Sequence, residues 1–233
     1  MPGPPYTIHR VVLGGVSSFL VHHSGSAILV DTGRRSSGER ILERMKELDI
    51  VPEKLSLIIL THAHYDHAGS AAEIRQQTGC RIMVHSSEAD RLRAGSTPLP
   101  GGTRWKARIL VGLGRALAPG LGKYPPAEPD IEAGESESLE PYGFPGRVIH
   151  APGHTPGSMV VVMEGGELLS GDTFFGLAGK LHFPPFAEDI PALLRSWQRI
   201  RELPVTRIYP AHGHSFPAQE FHQELPEALS RYL

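Results

Sequence analysis

Between positions 61 and 69 the chain reads THAHYDHAG, which sets His62, His64, Asp66 and His67 within six residues. Neutral imidazole and carboxylate are nitrogen and oxygen donors for zinc, iron and manganese alike. Residues two apart on an extended strand end point the same way, so His62 and His64 can grip one cation together. Asp66 and His67 follow at the bend into a predicted helix, which turns them toward a second point close by. Four donors are too few for two ions, so more must come from elsewhere. Three candidates each follow a predicted strand: His154 in APGHTPGS, Asp172 in SGDTFF and His212 in YPAHG. Five histidines and two aspartates suffice for two cations that share one carboxylate.

The elements that must position these side chains read as alternating runs. YTIHRVVL (6–13), SFLVHH (18–23) and AILVDTG (27–33) are successive predicted strands separated by Gly-Gly and Ser-Gly-Ser. Ile41, Leu42, Met45 and Leu48 recur at helical spacing and predict a helix over 37–48. LSLIILTH (55–62) reads as a strand covered on both faces, 69–78 as a second helix, and RIMVHS (81–86) as a further strand. The alternation returns at RVIHAPG (147–153), MVVVMEGG (159–166) and ELLSGD (167–172). A helix over 190–203, a strand at VTRIYPAHG (205–213) and a helix from about Pro217 complete it. Two such halves predict an α+β architecture, two packed sheets with helices outside, in a single domain over 1–233. Strand ends along one rim of such a sandwich are where distant segments can meet.

Bulk properties exclude several classes. A net charge of −2, with 40% hydrophobic and 21% charged residues, makes no case for disorder or for binding nucleic acid. Cys80 stands alone, so no disulfide forms within the chain and a reducing compartment fits; its expected role is packing. The N-terminus MPGPPYTIHR lacks the pattern of a secretory signal, and no apolar run approaches the roughly 20 residues of a spanning helix. The expected location is the cytoplasm. Nothing in the sequence bears on oligomeric state.

The interval 91–127 differs from the rest. It holds seven basic residues (Arg91, Arg93, Arg104, Lys106, Arg108, Arg115 and Lys123) and no acidic ones. Wound as a helix, 104–117 sets Trp105, Ile109, Leu113 and Leu117 on one side and Arg104, Arg108 and Arg115 on another. Three roles suit this insert: a lid selecting an anionic or acyl-bearing small molecule, a solvated cap, or a contact with an anionic membrane surface.

Taken together, His-x-His-x-Asp-His, Gly-His-Thr-Pro-Gly-Ser, Ser-Gly-Asp-Thr and Ala-His-Gly, preceded by Asp31 in VDTG, resemble the metallo-β-lactamase-fold hydrolase superfamily over about 8–215. The resemblance implies a four-layer αββα sandwich holding two divalent ions, zinc foremost, with iron or manganese acceptable to the same donors. It implies His62, His64 and His154 around one ion, Asp66, His67 and His212 around the other, and Asp172 bridging them. Asp31 would steady the HxHxDH loop from behind through hydrogen bonds. A bridging hydroxide would attack an ester, thioester, lactone or related small substrate, with Asp66 the catalytic residue that orients it or protonates the leaving group. Tyr65, Phe174, His182 and Trp105 are the candidates for touching substrate. The zinc β-lactamases of this superfamily lack an aspartate where Asp172 stands, which argues against β-lactamase activity. Glyoxalase II carries a similar ligand set but adds a C-terminal glutathione-binding region. Persulfide dioxygenases use one iron, here held by His62, His154 and Asp172, and form the chief alternative. A phosphodiesterase or nuclease-type member and an inactive metal-binding protein are the others. His9, His22, His23, His85, His150, His214 and His222 are expected at the surface or satisfied in the core.

Overall fold

Alternation along the central strands, broken once by a register shift between Leu55 and Leu57, decides the layering. The structure, a computed structural model, describes residues 5–98, 101–103, 109, 112, 120, 122–177 and 182–232. In β3 (Ser26–Val30) and β4 (Leu55–Ile59), Ile28, Val30, Leu57 and Ile59 face one way, and Ala27, Leu29, Leu55 and Ile58 the other. Both faces are apolar because both are covered.

The first six strands form one mixed sheet in chain order. β1 (Thr7–Val12), β2 (Ser17–His23) and β3 are antiparallel, while β3, β4, β5 (Arg81–His85) and β6 (Ile131–Ala133) run parallel. The second sheet is ordered β12-β11-β10-β9-β8-β7 and is antiparallel except where β10 (Glu167–Gly171) pairs β11 (Arg207–Pro210). Its other strands are β7 (Ser136–Ser138), β8 (Gly146–His150), β9 (Met159–Met163) and β12 (Phe216–Pro217). The chain passes between sheets at Gly134 and Glu135. Phe19, Val21, Ile28, Ile59 and Met83 of one sheet pack against Val148, Met159, Val161 and Leu169 of the other.

Helices cover the outer faces. On the first sheet α1 (Gly38–Glu47), α2 (Ala71–Thr78) and α3 (Ser86–Ala94) bring Ile41, Met45, Ile74, Ala89 and Leu92 onto Leu29, Ile58 and Ile82. Cys80 lies in this core, free and buried, which is the packing role expected of it. On the second sheet α4 (Ile190–Arg201) and α5 (Ala218–Tyr232) enclose Trp197, which stacks on Phe174 at 4.7 Å and is fully buried. Truncating Trp197 to Ala removes a contact set worth about 3–5 kcal/mol. α4 begins where Asp189 accepts a hydrogen bond from the Ala192 N–H, satisfying one of its orphan donors.

Three features depart from expectation. α3 was not foreseen, and it takes the first four residues of the supposed insert. Two of the insert's basic residues are engaged within the fold: Arg91 pairs with Glu88 and Glu188, and Arg93 with Asp90, Glu128 and Glu132. β6, β7 and β12 are too short to show a period in sequence. The predicted helix 104–117 lies outside the described residues apart from Ile109, which is exposed, and Gly112. No helix among the described residues is long and apolar enough to cross a membrane.

Candidate metal centre

β3 and β4 run parallel and end side by side, so the turns that follow them are neighbours at one rim. The Asp31 N–H donates to the Ile59 carbonyl at 2.9 Å, and Asp31 then turns into the left-handed region, with φ 61°. That conformation is strained for a residue with a Cβ. It is held because the buried carboxylate accepts three groups: the Thr61 N–H at 2.8 Å, the Thr61 hydroxyl at 2.9–3.0 Å, and His67 Nδ1 at 2.8 Å. Thr32 clasps the same loop, its N–H and hydroxyl both donating to the His67 carbonyl at 2.7 Å. A polar bracket on the end of β3 thus shapes the turn that carries His62 to His67.

Hydrogen bonds then decide which ring nitrogen is free. A carboxylate or carbonyl oxygen can only accept, so a nitrogen facing one carries the proton. His67 donates from Nδ1 to Asp31, His154 from Nδ1 to the Phe186 carbonyl at 2.9 Å, and His212 from Nδ1 to the Gly15 carbonyl at 2.8 Å. His62 Nδ1 sits 3.1 Å from the Thr61 hydroxyl. In all four Nδ1 is engaged by its partner, which leaves Nε2 turned to the centre. These nitrogens converge. His62 Nε2 and His154 Nε2 lie 2.8 and 3.0 Å from His64 Nδ1.

Asp172 joins this group to a second one. β10 ends at Gly171, whose φ of 50° turns the chain inward; a Cβ there would lie 2.4 Å from the Thr61 hydroxyl. Asp172 Oδ2 is thereby 3.5 Å from His154 Nε2, and Oδ1 is 3.3 Å from His67 Nε2 and 3.5 Å from His212 Nε2. His212 Nε2 also lies 3.6 Å from Asp66 Oδ2. Three overlapping donor groups result: His62, His64, His154; His62, His67, Asp172; and Asp66, His67, His212. All seven candidate ligands meet at one rim.

Electrostatics fit a cation at this point. Burial, then the neighbouring imidazoles, drives His62 and His64 well below the ordinary histidine value, so both are neutral donors. Burial also disfavours a charge on His67, yet Asp172 and Asp31 outweigh it and raise its pKa well above the ordinary value. Burial pushes the Asp172 carboxyl up, but His212, His67 and His154 together hold it well below the usual carboxylate range. His67 Nε2 and Asp172 Oδ1 are buried, face one another at 3.3 Å and have no hydrogen-bond partner, so the pair accommodates either a proton on Nε2 or a cation between them. Positive charge is what this arrangement accommodates, and the mix of imidazole and carboxylate suits zinc or a related transition ion.

The candidates for touching substrate separate. Tyr65 is half-buried beside Asp66, with the exposed Arg34 guanidinium 5.8 Å from its ring centroid. Phe174 does not face the rim: it is fully buried among Trp197, Phe216 and Phe221. Phe175, its neighbour, turns the other way and stacks on His212 at 4.9 Å. His182 is taken up by the C-terminal helix, stacked on Phe216 at 3.5 Å with Nδ1 2.9 Å from Glu224. Trp105 lies outside the described residues. Of the other histidines, His85 and His150 stack at 3.9 Å in the seam between the sheets, and His85 caps α3; none joins a donor group among the described residues.

The profile of the Metallo-beta-lactamase superfamily matches residues 11–212. The chain belongs to this superfamily. Hydroxyacylglutathione hydrolase GloC of Haemophilus influenzae is 30% identical over 161 residues, 68% of this chain and 66% of its own length. The zinc-dependent hydrolase BaeB of Bacillus velezensis, named for polyketide biosynthesis with a probable role, is 32% identical over 82% of this chain and 68% of its own. The Drosophila melanogaster beta-lactamase-like protein 2 homolog is 26% identical over 88% of this chain, which spans 60% of that protein. Among solved structures, a Cronobacter sakazakii metallo-beta-lactamase superposes with a TM-score of 0.69 at 19% identity, covering 97% of this chain and 89% of its own. That likeness concerns the fold.

Within this metallo-beta-lactamase frame, several rim residues carry no motif signal. Gly15 accepts from His212, and Arg10 reaches the Gly213 carbonyl at 2.6 Å, so β1 and the turn after it hold the His212 loop. Phe175 could have been found only by deciding which of two adjacent phenylalanines points inward. Glu88 is fully buried and had no signal at all.

Proposed function

We propose that the chain is a dinuclear metal-dependent hydrolase that adds water to a small ester, thioester, lactone or related substrate. The observation that carries this reading is Asp172, whose two oxygens face different imidazoles, His154 on one side and His67 with His212 on the other. His62, His64 and His154 would hold one ion, Asp66, His67 and His212 the second, with Asp172 between them and Asp31 behind His67. Bound there, two divalent ions supply the positive charge that brings the pKa of water to about 7 and steadies a growing oxyanion.

The chain's own groups do the rest. The four Nδ1 partners keep each Nε2 lone pair turned inward, which fixes ring orientation before substrate arrives. Asp66 is the partly exposed carboxylate of the set, placed to orient the attacking water or to pass a proton to the leaving group. No serine or cysteine nucleophile is required, and Cys80 is buried in the core. Tyr65, next to Asp66 in the chain, and Arg34 over its ring suit a substrate with an anionic or acyl portion. The names of GloC and BaeB favour a thioester or ester and zinc. The lone buried cysteine is the ground for a cytoplasmic location.

The test is a panel of acylthioesters, lactones, aryl esters and phosphodiesters, assayed with protein loaded with Zn²⁺, Mn²⁺ or Fe²⁺. Turnover of one ester-type class that disappears with a chelator and returns with metal supports the reading. No turnover of any class with any of the three metals, at two equivalents bound, overturns it.

A further inference from the structure

The HxHxDH loop is held from a second direction, by residues outside every motif. Ala63, between His62 and His64, is fully buried and its peptide groups are bonded on both sides. Its N–H donates to Glu88 Oε2 at 3.1 Å. Its carbonyl accepts from the Tyr124 hydroxyl at 2.7 Å and from the Thr97 hydroxyl. Burial pushes the Tyr124 pKa up to about 12, so that hydroxyl keeps its proton.

Glu88 reaches the other half of the molecule as well. Oε1 accepts from the Gly157 N–H at 3.3 Å, within the Gly-His-Thr-Pro-Gly-Ser loop that carries His154. Gly157 has room for no side chain, since a Cβ there would lie 2.5 Å from Glu88 Cγ. Arg91 balances the buried charge, donating to Glu88 Oε1 at 3.1 Å and across both oxygens of Glu188 at 2.9 and 3.1 Å. The Glu188 N–H in turn donates to the carbonyls of Gly153 and His154, each at 3.0 Å.

We infer that Glu88, with Tyr124, is a positioning residue for the three-nitrogen group: it sets the spacing of His62 and His64 and locks that pair to His154. The inference rests on the dinuclear reading. A carboxylate buried without a structural or functional return is disfavoured, and one that joins two ligand loops from opposite sheets has that return. Its influence is one-sided. The partners that hold His67 and His212 are Asp31, Thr32 and Gly15, and Glu88 bonds none of these.

The experiment titrates chelator-stripped protein with Co²⁺ against a chromophoric competitor, resolving the two equivalents, and compares wild type with Glu88→Gln and Tyr124→Phe. Melting of the metal-free forms is followed in parallel. Glu88→Gln keeps the side chain's shape and one accepting oxygen, but sets an amide against donors. Expected is a fall of about 10–100-fold in affinity for one equivalent, with the other changed by less than about threefold. Tyr124→Phe should shift the same equivalent by less. If Glu88→Gln fails to fold, the Tyr124→Phe comparison alone decides. Two equivalents bound as tightly as in wild type, or both weakened in step with the melting temperature, would overturn the inference. Wild-type protein that binds less than one equivalent would instead overturn the function itself.

Discussion

His62, His64 and His154 lie almost wholly out of solvent, whereas Asp66 and His212 keep 14% and 18% of their side chains exposed. The first group is nitrogen only and is enclosed by both sheets; the second mixes a carboxylate with imidazole and opens outward. Their supports differ in the same way. The first hangs on side chains from α3 and the segment after it, the second on Asp31 and the backbone of the β1–β2 turn. On the proposed reading, a rim built like this would separate holding from reacting, with the enclosed group preorganised within the core and the more exposed one turned toward substrate. Asp172 lies between them, one oxygen toward His154 and the other toward His67 and His212.

Replacing Asp172 by Asn should therefore have the largest effect. An amide of the same shape loses the charge that faces three imidazoles, and activity should fall by at least about 100-fold with both metal equivalents weakened. Equilibrium metal titration checks this; weakening of only one equivalent would break the idea that the carboxylate is shared. Asp31→Asn should act unequally on the two sides. It removes the charged acceptor of His67 Nδ1, and should cost about 10–100-fold in affinity for the more exposed site and less for the buried one, which Asp31 reaches only through Thr61. A matched loss at both sites would erase the distinction between the two supports.

The smallest expected effect is on the pH dependence of the metal-free protein. His62 and His64 have folded pKa values held down by burial, so their contribution is present above about pH 6.5 and is lost as pH falls toward those values. His67 is raised by Asp172 and Asp31 against its burial, so its contribution is present below about pH 6.5 and is lost as pH rises through its folded value. The melting temperature of stripped protein should peak near pH 6.5. His67→Ala should flatten the alkaline side of that peak and leave the acid side in place. An unchanged alkaline side would show that the two groups do not titrate in opposite directions.

Much of this was legible from local pattern. THAHYDHAG concentrates its donors in one stretch, and the strands that deliver His154, Asp172 and His212 have apolar runs long enough to read. α3 was missed because SSEADRLRA is mostly polar and only Glu88, Ala89 and Leu92 are buried. Glu88 was invisible for a deeper reason: an acidic residue in a polar helix looks solvated until the fold brings two loop N–H groups to it. Phe174 and Phe175 are adjacent and of one type, so composition could not say which entered the core; packing against Trp197 decided it. The roles of Arg91 and Arg93 depended on partners 97 and 39 residues away, beyond the reach of a charge pattern read along the chain.

The most direct measurement is anomalous diffraction at the metal edge on crystals of metal-loaded protein. Two peaks are predicted, one among His62, His64 and His154 and one among Asp66, His67 and His212, with Asp172 touching both. A single peak held by His62, His154 and Asp172 at full occupancy would contradict the account and point to mononuclear chemistry.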